Sequence, residues 1–320
     1  MNSRIVSILI VVAIIIIGGV WYLRGHQPAE QQAAAPAAST TTPAASTETT
    51  APAASTTTTT AAPAATTTTT QTAAAPAAGP MAGKSLKIAT EGAYKPFNFV
   101  APDGSLQGFD VDIANALCAQ MQAKCEVVKQ DWDGMIPGLL ANKYDAIVAS
   151  MSITDERKQK VDFTAKYYNT PAKMVAKKGS NLQITKDGLK GKTIGVQGST
   201  IHENFVRDNF GDVATIKAYD TQENADLDLA AGRLDAVVAD KVALDEGFLK
   251  TDQGKDFEFV GPDFTDKKWF GEGAGIAVRK GEADLLKGLN DAIAAIRSDG
   301  TYQKIEQKYF AYDIYGAPGT

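Results

Sequence analysis

The sequence predicts an α/β protein of two similar-sized units, set behind a long N-terminal region that does not fold. Three observations predict it. From Leu86 onward short apolar runs alternate with amphipathic stretches, the pattern of strands and helices that builds a largely parallel sheet. The alternation pauses at "KYYNTPAK" and then begins again, which makes two sets. Before residue 84 the Leu, Ile, Val and aromatic residues that a core requires are confined to one run, and the remainder is too polar and too uniform to bury a core.

That run, "IVSILIVVAIIIIGGVWYL" at residues 5–23, is uncharged and flanked by Arg4 and Arg24. Its 19 residues suffice to cross a bilayer, which takes about 17–25, and exceed the ~7–15 of an ordinary signal-peptide core. Residues 1–24 therefore read as a signal peptide or a membrane anchor, and either one exports the rest of the chain. From Pro28 to Pro80 the chain is nearly all Ala, Pro, Thr and Ser, without Leu, Ile, Val or aromatic residues. Residues 25–83 read as a disordered, Pro-stiffened linker.

The first set of elements starts with the strand "LKIAT". The helix "DVDIANALCAQMQ" comes next, with Asp110 expected as its N-cap and Ile113, Leu117 and Met121 on one face. Then come the strand "CEVVK", a short helix "GMIPGLLAN" with Pro137 near its first turn, and the strand "DAIVAS". In the second set the strands "KTIGV", "ATIKAY" and "LDAVVAD" alternate with helices starting near Thr200, Thr221 and Lys241. "GEGAGIAVRKG" supplies another strand. Two helices, "DLLKGLNDAIAAIRSDG" and "YQKIEQKYF", close the chain, the first stopping at Gly300. Extended joints between the units are expected near residues 169–173 and 269–275.

Arg4 and Arg24 offset Glu30 and Glu48, so the net charge of −5 belongs to residues 84–320. A mildly acidic domain without a basic stripe argues against nucleic acid and is compatible with a cationic ligand. Cys118 and Cys125 are the two cysteines. On one unbroken helix their Cα atoms would stand about 10 Å apart, beyond the ~7 Å limit for a disulfide. A bridge requires the helix to end near Gln122, and the oxidising side of the membrane favours it.

Ligands of open α/β sheets lie at the carboxyl ends of the strands, and there the residues carry a resemblance. "GFDVDIANALCAQMQAKC", "DWDGMIPGLLANKYDAIVASMSITDERKQKVDFT", "GVQGST", "AGRLDAVVAD", "FGEGAGIAVRKG" and "DGTYQKIEQKYF" resemble the periplasmic polar-amino-acid-binding proteins of ABC importers. The lysine/arginine/ornithine, arginine and histidine binders are the nearest branch, and opine-binding relatives share the flavour of "ATEGAYKPFNF" and "QDWDG". The match runs from about Leu86 to Phe310. It implies the two-lobed type II periplasmic binding protein fold, with lobe 1 formed by residues 84–169 and 273–320 and lobe 2 by residues 170–272. Two hinge crossovers would join the lobes, and a ligand would be trapped when they close.

By this resemblance Arg157 holds the ligand's α-carboxylate, for which a guanidinium is a planar, bidentate match. Ser152 contributes to the same anion, as do Ser199 and Thr200 at a helix start that favours anions. Asp240 and Ser150 are the acceptors for the α-ammonium. Tyr94 and Trp132 sandwich the side chain, and Glu91 pairs with its cationic end. Each has a plain alternative: Arg157 in a surface ion pair with Asp155 or Glu156, Asp240 as a helix N-cap, the two aromatics as packing residues.

The sequence also departs from those binders. Ala149 and Ile201 stand where they carry a pocket serine and glutamine, Glu91 where several have aspartate, and Trp132 where they have phenylalanine. "GVQGST" looks one residue shorter than their form, which leaves Val196 and Gln197 without an assigned role. The choice among arginine, lysine, ornithine, histidine and an arginine-derived opine stays open, with arginine first.

The function expected is that of a monomeric substrate-binding protein that delivers a cationic amino acid to a membrane permease and ATPase. No catalytic residue, metal or cofactor is expected, because no Ser-His-Asp arrangement or metal cluster stands out and the histidines, His26 and His202, read as solvated. The alternatives are a membrane-tethered amino-acid or opine receptor for signalling, and a dehydratase on the same fold.

Overall fold

A computed structural model describes residues 79–316. The segments read as an anchor or signal, and nearly all of the linker with His26, lie outside the described residues. Among the described residues no helix is long and apolar enough to cross a membrane.

The first lobe opens with β1 (Ser85–Thr90), then a small meander of β2 (Ala93–Tyr94), β3 (Asn98–Val100) and β4 (Leu106–Gln107). Helix α1 (Phe109–Gln120), β5 (Lys124–Lys129), α2 (Met135–Leu140), β6 (Ala146–Ile147), α3 (Asp155–Lys158) and β7 (Asp162–Phe163) complete the outward path. The second lobe contains β8 (Ala172–Lys177), β9 (Thr193–Gln197), α4 (Ile201–Phe210), β10 (Thr215–Tyr219), α5 (Gln222–Ala230), β11 (Ala236–Asp240), α6 (Lys241–Leu244), β12 (Phe257–Phe264) and α7 (Lys267–Phe270). The chain then returns to the first lobe as β13 (Ala277–Val278), α8 (Ala283–Ser298) and α9 (Thr301–Tyr309).

The sheets are mixed rather than largely parallel. Their orders are β5-β1-β6-β13-β7 and β10-β9-β11-β8-β12. Three strands in each run parallel or are linked through parallel pairs, while β13 is antiparallel to β6 and β7, and β8 to β11 and β12. The reason is topological. Strands β1, β6, β9 and β11 end at the cleft, whereas a chain arriving through a crossover starts at the cleft and has to run away from it.

Both faces of each sheet are covered, so the strands read as continuous apolar runs. Val238 of β11 packs with Met174, Ile194, Phe205 and Phe270 on one face, while Val237 and Ala239 pack with Leu229, Leu244 and Phe248 on the other. In the first lobe Ile88 meets Phe109, Ile113, Leu117, Leu289 and Ile293, and Ala89 meets Met135, Leu139 and Ile147 on the opposite face.

Two details of α1 differ from the expected ones. Gly108, not Asp110, holds the N-cap position. The amides of Phe109 and Asp110 donate to the carbonyls of Pro96 and Phe97, so the neighbouring loop satisfies the helix start and the Asp110 side chain is released for another use. Any side chain at Gly108 would collide with the Phe97 carbonyl, 2.3 Å from a Cβ there. At its other end the helix stops at Gln120, and Gln122 takes a positive φ of 54° that turns the chain into β5. That turn brings the Cα atoms of Cys118 and Cys125 to 6.1 Å, and the two form the expected disulfide.

The crossovers are tied to each other. The Ala274 amide donates to the Tyr168 carbonyl at 2.9 Å and the Tyr167 amide to the Ala274 carbonyl at 2.8 Å. Gly273 lets them approach, since its φ is 110° and an added Cβ would lie 2.7 Å from the Tyr168 carbonyl oxygen.

Candidate functional site

A pocket lies between the lobes, the kind of interdomain cleft in which small-molecule sites form. Eight of the residues singled out in the sequence line it: Glu91, Tyr94, Trp132, Ser150, Ser152, Arg157, Thr200 and Asp240. They converge because Glu91 follows β1, Ser150 and Ser152 follow β6, Thr200 follows β9, and Asp240 ends β11. Ser199 is the exception. It is exposed and borders an outer groove instead, and its carbonyl accepts the Trp132 indole N–H at 3.0 Å across the mouth of the cleft.

Arg157 forms no ion pair with Asp155 or Glu156, which face Lys158 and Lys160 instead. Its guanidinium donates to the Ser152 carbonyl at 3.0 Å and lies 5.3 Å from the centre of the Trp132 ring. Burial lowers its pKa to about 10, which leaves it charged at neutral pH. Among the described residues no carboxylate lies within ion-pair distance of it. Thr154 caps α3 by accepting from the Arg157 amide, and this fixes where the side chain begins.

The two cavity acids have different partners. Glu91, 3% exposed, accepts the Gln197 side-chain amide at 2.5 Å, and burial raises its pKa to about 7. Asp240 flanks α6 but makes no side-chain cap. It accepts the Tyr94 hydroxyl at 2.8 Å and the Thr170 hydroxyl at 3.2 Å, and burial raises its pKa to about 6. Tyr94 is buried and stacks on Phe97, with ring centres 5.9 Å apart.

Asp110, free of the capping role, forms the buried hub of a network. It accepts from the Asn98 amide, the Tyr167 hydroxyl and the Ser150 hydroxyl at 2.8, 2.7 and 2.9 Å. Ser150 sits at a φ of 55° and its amide donates to the Tyr167 hydroxyl at 3.0 Å. With its own proton committed to Asp110, the Ser150 oxygen is left to act toward the cavity as an acceptor. The Thr200 hydroxyl is likewise engaged, accepting from the Glu203 amide as the α4 N-cap and donating to the Gln197 carbonyl. What α4 brings to the cavity is its first turn, whose leading amides have no partner within the helix.

Sequence reasoning missed three lining residues: Gln197, Gln222 and His202. The expectation of a solvated His202 is corrected by the structure, where the residue is 6% exposed. The physical reason is helical: His202, Phe205 and Val206 share one face of α4 by their i, i+3, i+4 spacing, and all three are buried. That pattern was the available signal. Gln222 donates to the buried Asp226 at 2.9 Å, a role with no sequence signature.

Residues 86–312 match the model of the bacterial extracellular solute-binding proteins, family 3. The chain belongs to that family. It is 53% identical over 237 residues to the L-arginine-binding protein of Pseudomonas aeruginosa, a match covering 74% of this chain and 92% of the relative. With the lysine/arginine/ornithine-binding periplasmic protein of Escherichia coli it shares 45% over 235 residues, 73% of this chain and 90% of the other. Among solved structures, it is similar to a Salmonella typhimurium periplasmic binding protein described for its high arginine specificity. That match has a TM-score of 0.66 at 35% identity and covers 72% of this chain and all of the other. This family member thus has the two-lobed fold of its relatives and a pocket between the lobes.

Proposed function

We propose that this protein binds a cationic L-amino acid, arginine first and then lysine, ornithine or histidine, and delivers it to the permease and ATPase of an ABC importer. One observation carries the reading: the charge inventory of the cavity. Two carboxylates, Glu91 and Asp240, face one guanidinium, Arg157. A cationic amino acid has the complementary set, two cations and one carboxylate. The likeness to an L-arginine-binding protein at 53% identity supports the same ligand class.

In this reading Arg157 receives the α-carboxylate together with the Ser152 region and the first turn of α4. Asp240 and the Ser150 oxygen take the α-ammonium. Tyr94 and Trp132 flank the aliphatic stem, and Glu91 pairs with the terminal cation. The lobes, residues 84–169 with 273–320 and residues 170–272, rotate about the crossovers to trap it. The chain works as an exported monomer, with residues 1–24 addressing or anchoring it at the inner membrane and the Thr-rich segment as a spacer.

The test is calorimetric titration of the full chain, purified in detergent and dialysed free of bound ligand, against arginine, lysine, ornithine, histidine, glutamate and glutamine. Tight binding confined to the cationic ligands is expected. Binding of glutamate or glutamine alone would overturn the assignment of Glu91.

A further inference from the structure

We infer that His202 is a further ligand-binding residue of this cavity, accepting through Nε2 a hydrogen bond from the ligand's α-ammonium, which it shares with Asp240. The inference rests on the proposed amino-acid binding and adds to it a residue which that reading does not use.

His202 lines the cavity and is more than nine-tenths buried, yet its Nε2 has no hydrogen-bond partner within the protein. Nearly all buried polar side-chain atoms have one, and a ligand donor in the cavity would supply it. Nε2 lies 3.9 Å from Asp240 Oδ1. That is too long for a direct hydrogen bond, but the spacing suits two acceptors that share one donor group. An ammonium nitrogen about 2.8 Å from each would see them about 90° apart, roughly 20° narrower than two of its own N–H bonds and within the D–H···A bending a hydrogen bond tolerates.

Electrostatics separates the ammonium from the other candidate, the ligand's carboxylate. Burial, and secondarily the Arg157 charge, lower the imidazole pKa to about 3, so the ring is neutral at physiological pH, and in the tautomer with its proton on Nδ1 the Nε2 lone pair accepts. A carboxylate placed on Nε2 would be forced against the Asp240 carboxylate, and like charges at that range disfavour each other. An ammonium there is attracted by Asp240 and meets a lone pair on His202. The Ser150 oxygen, oriented by Asp110, is a third acceptor on the cavity wall, and a primary ammonium has three protons to give.

The experiment is titration of the full-length protein and its His202→Leu and His202→Gln variants with three probes. The probes are L-arginine, agmatine, which lacks the carboxylate, and 5-guanidinopentanoic acid, which lacks the α-ammonium. Calorimetry would be extended to millimolar Kd by ligand-observed NMR, and melting curves would check folding. His202→Leu should weaken arginine and agmatine by about ten- to a hundredfold, the size of a charge-assisted hydrogen bond, and leave 5-guanidinopentanoic acid unchanged. His202→Gln, which keeps an acceptor oxygen, should recover most of the loss. Equal losses for all three probes would reduce His202 to packing. Loss for 5-guanidinopentanoic acid but not for agmatine would assign Nε2 to the carboxylate, and no loss for arginine would remove it from the site. Each of these overturns the inference while wild-type binding of arginine still stands. Failure of the wild type to bind any cationic amino acid overturns the parent reading instead.

Discussion

Glu91 and Asp240 invite comparison, because each is a cavity acid contributed by one lobe and hydrogen-bonded by the other, Glu91 buried and Asp240 partly exposed. Glu91, at the end of β1, takes an amide from Gln197 of the second lobe. Asp240, at the end of β11, takes a hydroxyl from Tyr94 of the first lobe and a second from Thr170 at the crossover. Burial raises the pKa of both, Glu91 to about 7 and Asp240 to about 6, and in each the hydrogen bonds oppose the rise. A carboxylate held by two hydroxyls is organised before a ligand arrives. One held by a single amide, which it shares with the Asp220 carbonyl, keeps more of its accepting capacity for a ligand. This difference fits Asp240 to the invariant ammonium of an amino acid and Glu91 to the variable end of its side chain.

The largest expected effect comes from Asp240→Asn. Leaving a buried cation without its charged partner costs roughly 2–5 kcal/mol, so affinity should fall at least ~30-fold for arginine, lysine and ornithine alike in calorimetric titration. A loss confined to one of them would contradict the division of labour.

Glu91→Gln is next. It should weaken arginine about ten- to a hundredfold while changing a neutral ligand such as glutamine little. Equal losses would place Glu91 outside the specificity end.

Acidity sharpens the same contrast. If arginine binds as proposed it selects the ionised form of Glu91, so with a pKa near 7 this group alone should lower its affinity about tenfold between pH 8 and pH 6. In Glu91→Gln only the smaller slope from Asp240 should remain. Stability of the ligand-free protein runs by the same linkage. The raised pKa favours the protonated carboxyl in the folded state, so this contribution is complete below about 4.5 and is lost as pH rises through about 7. Melting temperatures over that window should decline more steeply for the wild type than for Glu91→Gln, and parallel curves would show that Glu91 is not buried as described.

Trp132→Phe carries the smallest effect. It keeps a ring against Arg157 but removes the N–H that reaches the Ser199 carbonyl across the cleft. A loss of about two- to tenfold, the net worth of one neutral hydrogen bond, is expected mainly in the dissociation rate measured by stopped flow.

By itself the sequence determined the elements and most of the site. Strands such as "LDAVVAD" and the cap residues Thr200 and Thr221 are governed by neighbours a few positions away. The eight lining residues were legible through the resemblance to a known family, and five of them (Glu91, Ser150, Ser152, Thr200 and Asp240) lie at or just after strands that end at one cleft. The spacing of Cys118 and Cys125 allowed a disulfide only if α1 stopped near Gln122, and α1 ends at Gln120 with the disulfide formed. Tertiary structure decided what no local pattern encodes. Asp110 lost its cap because carbonyls from the loop after β2 reached the helix start first. Ser199 turned its carbonyl, not its hydroxyl, toward the first lobe. The antiparallel strands β8 and β13 result from the side on which the crossovers enter. In each case the partner is distant in sequence or belongs to the other lobe, so the competition for a hydrogen bond or a buried face is settled only when the two lobes pack together.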